Sequence, residues 1–186
     1  MRLKTERLIL RPWRDQDLEP FAAMSADPEV MRWLGGVMTR EAAAAYMARS
    51  ESSFSTRGMG RFAIERRDDG AFIGSCGLMP GRPSMPIAPY TDIGWRLARS
   101  VWGGGYATEA AAAVLHDGFG RLRLDEIAAV TAAISLRSRS VMERLGMTWD
   151  KADDFNDPAY AIDHPQRRTV VYRAHASAEV LSAPVV

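Results

Sequence analysis

Apolar positions along this chain fall into short blocks whose spacing switches between the periods of strands and helices. Residues 7–13, Arg-Leu-Ile-Leu-Arg-Pro-Trp, read as a first strand that Pro12 ends. Asp15 and Asp17 then offer N-caps for a short helix to about Ser25. Asp27-Pro28-Glu29 supplies a cap, a proline at the first helical position and an acid in the first turn, so it opens a second helix. Thr39 begins a third, alanine-rich helix reaching about Ser53.

Two strands, 61–67 and 71–79, follow around Asp68-Asp69-Gly70, a strong hairpin signal. Residues 80–89 hold four prolines and read as a loop. In Thr91–Ala98, alternation puts Ile93, Trp95 and Leu97 on one face and Asp92 and Gly94 on the other. Three glycines, 103–105, lead into a helix over 107–119, and residues 126–134 form an apolar strand. Ser138 or Ser140 opens a helix ending at Leu145, where Gly146 is a left-handed cap and Met147 packs back. A last strand spans 168–174. With no repeat or linker in between, the chain reads as one domain over 1–175, with 176–186 a loose tail.

The composition removes several function classes. A 47% hydrophobic and 25% charged content describes an ordinary globular chain of 186 residues, long enough for one full core. Lys+Arg 24 against Asp+Glu 23 gives no reason to expect nucleic acid or an anionic membrane as partner. The single Cys76 excludes an internal disulfide and, as a thiol in an apolar strand, reads as core rather than nucleophile. The opening residues carry no apolar signal core, and no run approaches the roughly 18 apolar residues of a membrane span. The expectation is a soluble cytoplasmic protein. His116, His164 and His175 are scattered and give no zinc-ligand spacing, so no metal is expected.

The chemistry concentrates at the strand, glycine turn and helix of residues 91–119. Three consecutive glycines strip the turn of Cβ atoms, so backbone N–H groups can approach a ligand closely. The helix start behind them adds unpaired N–H donors and partial positive charge, a combination suited to phosphate. A Walker A loop would need a lysine after the glycines, and none follows. A dinucleotide fingerprint would need glycine where Thr108 stands, and Asp125 precedes the next strand instead of ending it.

Residues Trp102-Gly103-Gly104-Gly105-Tyr106-Ala107 match the last four positions of the acetyl-CoA loop of GNAT acetyltransferases, Gln/Arg-x-x-Gly-x-Gly/Ala. The longer segment Ile93-Gly94-Trp95-Arg96-Leu97 through Trp102–Ala110 resembles the RimJ/RimL-type branch, where Trp at the first loop position is common. Thr5–Pro12, Phe72–Gly77 and Ser135–Met147 extend the resemblance over nearly the whole chain. It implies an α/β fold: a single GNAT domain with a mixed, mostly antiparallel sheet flanked by helices. Strands 91–98 and 126–134 would run parallel and splay apart, with CoA wedged between them. It implies acetyl-CoA as co-substrate, held by Leu97, Trp102, Gly103, Gly104, Gly105, Tyr106, Ala107 and Thr108, with Ser135 where the family usually has Asn. Backbone N–H groups near Leu97 would meet the thioester oxygen.

The implied activity is direct acetyl transfer to a primary amine, on a small molecule or a protein N-terminus. A neutral amine must attack, and a proton must reach the leaving thiolate. Met142 stands where many relatives carry a Tyr acid, so by analogy Ser138 is the proton donor, or else only a helix N-cap. Asp92, where relatives carry Glu, is the general base or a substrate-binding carboxylate. Asp154, in Asp153-Asp154-Phe155, is a second acidic candidate at the acceptor site, and His164 a weaker one. Trp13, Trp33, Tyr46 and Phe54 either pack the core or line an acceptor groove. A CoA-binding protein without catalysis is the alternative. A homodimer is compatible with the family, though no apolar stripe in the sequence marks one.

Overall fold

The computed structural model describes residues 1–176 of the 186. Strands β1 (Leu3–Lys4) and β2 (Leu8–Arg11) precede helices α1 (Leu18–Ser25), α2 (Pro28–Met31) and α3 (Arg40–Arg57). Strands β3 (Arg61–Arg66), β4 (Phe72–Pro80) and β5 (Thr91–Leu97) lead to helix α4 (Tyr106–Gly120) and strand β6 (Glu126–Ala132). Helix α5 (Leu136–Arg144) and strands β7 (Thr148–Trp149), β8 (Phe155–Asn156) and β9 (Arg168–His175) complete the domain. The sheet runs β1-β2-β3-β4-β5-β6-β9-β7, with β8 also on β9. Every pairing is antiparallel except β5 with β6.

Strand alternation sends side chains to two large cores, and a smaller cluster of Met85, Ala128, Phe155 and Val171 lies apart from them. On one face Leu8, Leu10, Phe62, Ile64, Leu78 and Ile93 meet Ala110, Val114 and Phe119 of α4 and Met142 of α5. On the other, Ala63 meets Trp13, Phe21, Met24, Ala43 and Met47 from the segment before β3. Trp13 and Phe21 pack at 4.8 Å between ring centroids, so they are core residues. Phe54 packs against Phe62 at 4.7 Å, and Trp33 remains half-buried outside both clusters.

Most helix signals act as expected. Thr39 accepts the Ala42 N–H at 3.2 Å and Asp27 the Glu29 N–H at 2.9 Å. Gly146 is left-handed (φ 70°), and Met147 is buried. Two expectations need correction. Helix α5 opens at Leu136 with Ser135 at its N-cap, so Ser138 lies inside the first turn and does not start the helix. Asp17 stands at the N-cap of α1 but gives it no side-chain hydrogen bond; its carboxylate receives both ends of the buried Arg11 guanidinium, at 2.6 and 2.9 Å, and the Arg14 N–H at 2.8 Å. The proposed tail of 176–186 lies outside the described residues apart from Ala176, whose N–H bonds the Asp125 carbonyl at 3.1 Å.

Candidate active site

The glycine turn presents bare backbone. Gly103 and Gly105 both have φ 80°, a conformation that side chains resist, and all three glycines are exposed. Gly105 is the N-cap of α4 and gives it no side-chain acceptor, so the N–H groups of the first turn, Tyr106, Ala107 and Thr108, stay available. A Cβ at Gly103 would meet nothing within 4 Å, which leaves open space over the turn. The cradle therefore fits a pyrophosphate, with backbone donors and a helix N-terminus as its chemistry.

A latch from the chain's N-terminal segment holds this turn. Arg7 donates to the Gly104 carbonyl at 2.9 Å and to Glu109 at 2.7 Å, and its guanidinium lies 4.5 Å over the Tyr106 ring. Glu109 also accepts from the Thr5 hydroxyl at 2.5 Å and the Arg7 N–H at 2.8 Å. Burial alone would raise the Glu109 carboxyl, but these hydrogen bonds outweigh it and hold it below its ordinary value. On the other side, Arg137 lies 4.4 Å over the Trp102 ring, which brings the first turn of α5 to the loop. There the buried Ser135 donates its hydroxyl proton to Ser138 Oγ at 3.1 Å, leaving the Ser138 proton for another acceptor.

Strands β5 and β6 are in register at one pair, Asp92 with Ala128, and then part. Leu97 opposes Gly74 across β4, while the Ala98 N–H bonds the Ile73 carbonyl at 2.9 Å. The Leu97–Gly74 pair is thus the non-hydrogen-bonded kind, and the Leu97 N–H turns away from β4 into the opening beside β6. The Trp102 indole donates to the Leu97 carbonyl at 3.0 Å and ties the glycine turn to this strand end.

On the opposite face of β5 lies a cavity of about 250 Å³, between α3 and the sheet. Asp92, Gly94 and Arg96 line it from β5, Tyr46 and Arg49 from α3, and Arg61 from β3. Arg61 ion-pairs with Asp92 and also donates to the Gly77 and Gly94 carbonyls. A Cβ at Gly94 would sit 2.9 Å from its guanidinium nitrogens, so glycine is required for that seat. Burial raises the Asp92 carboxyl above the ordinary carboxylate range, and the attraction of Arg61 only partly offsets it.

Asp92, Leu97 and the glycine loop thus belong to one strand-turn-helix unit, joined by Ser135 and Ser138. Asp154 is elsewhere: its carboxylate accepts from the Trp149 indole at 2.8 Å and from Arg168 at 3.1 Å, and it does not line the cavity. His164 stacks on Tyr160 and accepts the Gln166 N–H at 3.2 Å. Met142 is buried in the main core, and burial pushes the Cys76 thiol up to about 12, which makes it inert. The sequence reading missed Arg61, Arg96 and the Arg7–Glu109 latch. Arg96 stood inside a quoted motif, but isolated arginines carry no spacing signal of their own. Among the described residues no cluster of His, Cys, Asp and Glu could hold a metal ion, and no helix is long and apolar enough to cross a membrane.

Comparison with known proteins places these features in context. Residues 7–148 match the family described as the acetyltransferase (GNAT) domain. The chain is 30% identical to the Bacillus subtilis (strain 168) protein YkkB, over 81% of this chain and 87% of that one. It is 31% identical to the FsC-acetyl coenzyme A-N(2)-transacetylase of Aspergillus fumigatus, over 78% of this chain and 64% of that protein. An acetyltransferase structure from Agrobacterium tumefaciens superposes with a TM-score of 0.77 at 28% identity, covering 95% of both chains. RimL, a ribosomal L7/L12 α-N-protein acetyltransferase solved with coenzyme A, shares the fold at a TM-score of 0.77 and 14% identity, over 94% of this chain and 98% of its own.

Proposed function

The chain belongs to the GNAT acetyltransferase family, and from that premise we propose that it is a RimJ/RimL-type enzyme acetylating a primary amine in the cytoplasm. The observation that carries this is the pair of left-handed glycines opening α4 beside the gap between β5 and β6. In this reading Gly103, Gly104, Gly105, Tyr106, Ala107 and Thr108 hold the pyrophosphate of acetyl-CoA by backbone N–H groups, Trp102 anchors the turn, and Ser135 and Ser138 face the pantetheine arm. Bound acetyl-CoA supplies the thioester whose acetyl group the amine takes. The Leu97 N–H donates a hydrogen bond to the thioester carbonyl oxygen and stabilises the negative charge that develops there.

Asp92 takes the proton from the acceptor amine, and its raised pKa makes it a stronger base than an exposed aspartate. An α-amine with pKa near 8 is about one-tenth neutral at pH 7, so this help suffices. Ser138 Oγ passes a proton to the leaving thiolate and regains one from solvent. We assign Asp154 a structural role, since Trp149 and Arg168 already occupy its carboxylate. The named activities of two relatives, on a ribosomal protein N-terminus and with acetyl coenzyme A at an N(2) position, span the two acceptor classes open to this chain.

A CoA-binding protein without catalysis is the second reading, favoured by the buried Met142 where a Tyr acid is common in the family. Calorimetric titration with acetyl-CoA, against ATP and NAD, tests the first step; thiol release with amines tests the second. Binding of acetyl-CoA alone, followed by amine-dependent thiol release, is expected. Tight binding without release from any amine supports the second reading, and no binding defeats both.

A further inference from the structure

The cavity on the α3 side of β5 carries more positive charge than its own residues neutralise. Three guanidinium groups, Arg49, Arg61 and Arg96, face a single carboxylate, Asp92. Asp92 is taken by Arg61. Among the described residues neither Arg96 nor Arg49 has a carboxylate within ion-pairing distance. Arg49 sits on the exposed face of α3 at the cavity rim, where water solvates it.

Arg96 differs, because it is fixed and largely buried. Its Nη1 reaches Ser25 Oγ at 3.2 Å and Met38 Sδ at 3.0 Å, and the guanidinium lies 5.5 Å from the Phe21 ring and 5.1 Å from the Tyr46 ring. These contacts hold the group in place without neutralising it. Its Nε is buried with no hydrogen-bond partner. Burial and the neighbouring Arg61 both weigh against its charge, and Tyr46 offsets them only in part. A buried cation kept unpaired at the wall of a cavity is costly unless an anion arrives from outside.

We infer that the acceptor bears a carboxylate beside its amine, that this carboxylate pairs with Arg96, and that the acceptor is a small amino acid. This rests on the acetyltransferase reading and names the substrate class of that site. A cavity of about 250 Å³ has room for a small amino acid beside Arg96. The charge pattern also acts on the amine. An ammonium among guanidiniums loses its proton more readily, which aids attack, and a polyamine would be repelled at each further charge.

The test compares thiol release from acetyl-CoA with the twenty L-α-amino acids, their carboxamides, spermidine, and short peptides with Asp or Glu next to the amino terminus. The expected result is at least a ~10-fold preference in kcat/KM for a free amino acid over its carboxamide, the usual scale for a charged hydrogen bond. In Arg96→Met the preference collapses toward parity through KM, while calorimetric acetyl-CoA affinity is unchanged; Arg96→Lys restores part of it. Equal use of acid and carboxamide by the unaltered protein overturns the inference, as does better use of spermidine or of the acidic peptides alone. A second measurement needs no turnover: calorimetric titration of the protein with the N-acetyl amino acids and their carboxamides. Preferential binding of the carboxylates, lost in Arg96→Met, supports the carboxylate–Arg96 pairing independently of turnover, so a failure of the transferase reading is told apart from a failure of the pairing. No preference there overturns it.

Discussion

The two sides of β5 are built on opposite principles. On the glycine-loop side the proposed donors are backbone N–H groups, contiguous in sequence from 103 to 108, and side chains serve to hold the loop, through the Arg7–Glu109 latch and the Trp102 indole on the Leu97 carbonyl. On the cavity side everything is side chain: Arg61, Asp92, Arg96 and Tyr46 come from three elements, and each is positioned by packing or ion pairing. A backbone site binds a group common to many ligands and tolerates variation around it. A side-chain site is tuned by single residues. The contrast suits a fixed co-substrate on one side and a chosen acceptor on the other.

The largest effect should come from putting charge into the backbone site. Gly103→Glu enters open space and places an anion at the proposed pyrophosphate cradle; Gly103→Gln brings the same strain at φ 80° without the charge, so the difference between the two variants isolates the repulsion. Repulsion of about 4 kcal/mol, for charges near 4 Å at the protein surface, predicts ~1,000-fold weaker acetyl-CoA binding by calorimetry. Unchanged affinity would remove the loop from the site.

Breaking the side-chain site should instead appear in stability. Arg61→Met strands Asp92 in a buried position and should cost about 3 kcal/mol, a fall of roughly 6–12 °C in Tm. Adding Asp92→Asn should recover most of that loss; a double variant no more stable than the single one would mean that the stranded Asp92 charge is not the source of the cost.

Asp92→Asn alone addresses catalysis. Loss of a general base predicts kcat about 100-fold lower with acetyl-CoA affinity retained. Because burial raises the Asp92 carboxyl, the rate of the unaltered protein should fall as pH drops through a value above the ordinary 3.8, and the variant should lack that limb. An identical pH–rate profile in the variant excludes Asp92 as base.

Glu109→Gln sharpens the comparison from the loop side. Loss of the latch should cost about 2 kcal/mol at pH 7, read as a lower Tm. The Glu109 carboxyl lies below its ordinary 4.5 in the folded protein, so its stabilisation is complete above that value and is lost as pH falls through the lower, folded one. The gap between the two proteins should therefore close in acid; a constant gap would show that packing, not charge, is at stake. The smallest effect is assigned to Asp154→Asn, which should leave kcat/KM within about twofold, as expected of a residue that does not touch substrate.

Legibility followed the same division. The strand 91–98, the glycine turn and the helix behind it were readable because each rests on local rules: alternation, left-handed glycine and helix opening. Short edge strands such as Leu3–Lys4, Thr148–Trp149 and Phe155–Asn156 were not, since two residues cannot display a period and form only where β2 or β9 offers an edge. The helix at Leu136 was placed too late because Ser138 looks like a cap, although its hydroxyl lies within the first turn and meets Ser135.

By itself, then, the sequence determined the order of the longer elements, the bare-backbone turn of residues 103–105 and the family resemblance, because these depend on neighbours along the chain. Only the tertiary structure decided that Asp92 is held by Arg61, that Asp154 is occupied by Trp149 and Arg168, and that Arg96 stands in the cavity without a carboxylate. The physical reason is that pairing and desolvation depend on groups brought together through space, across separations such as the 31 positions from Arg61 to Asp92, which no local pattern encodes.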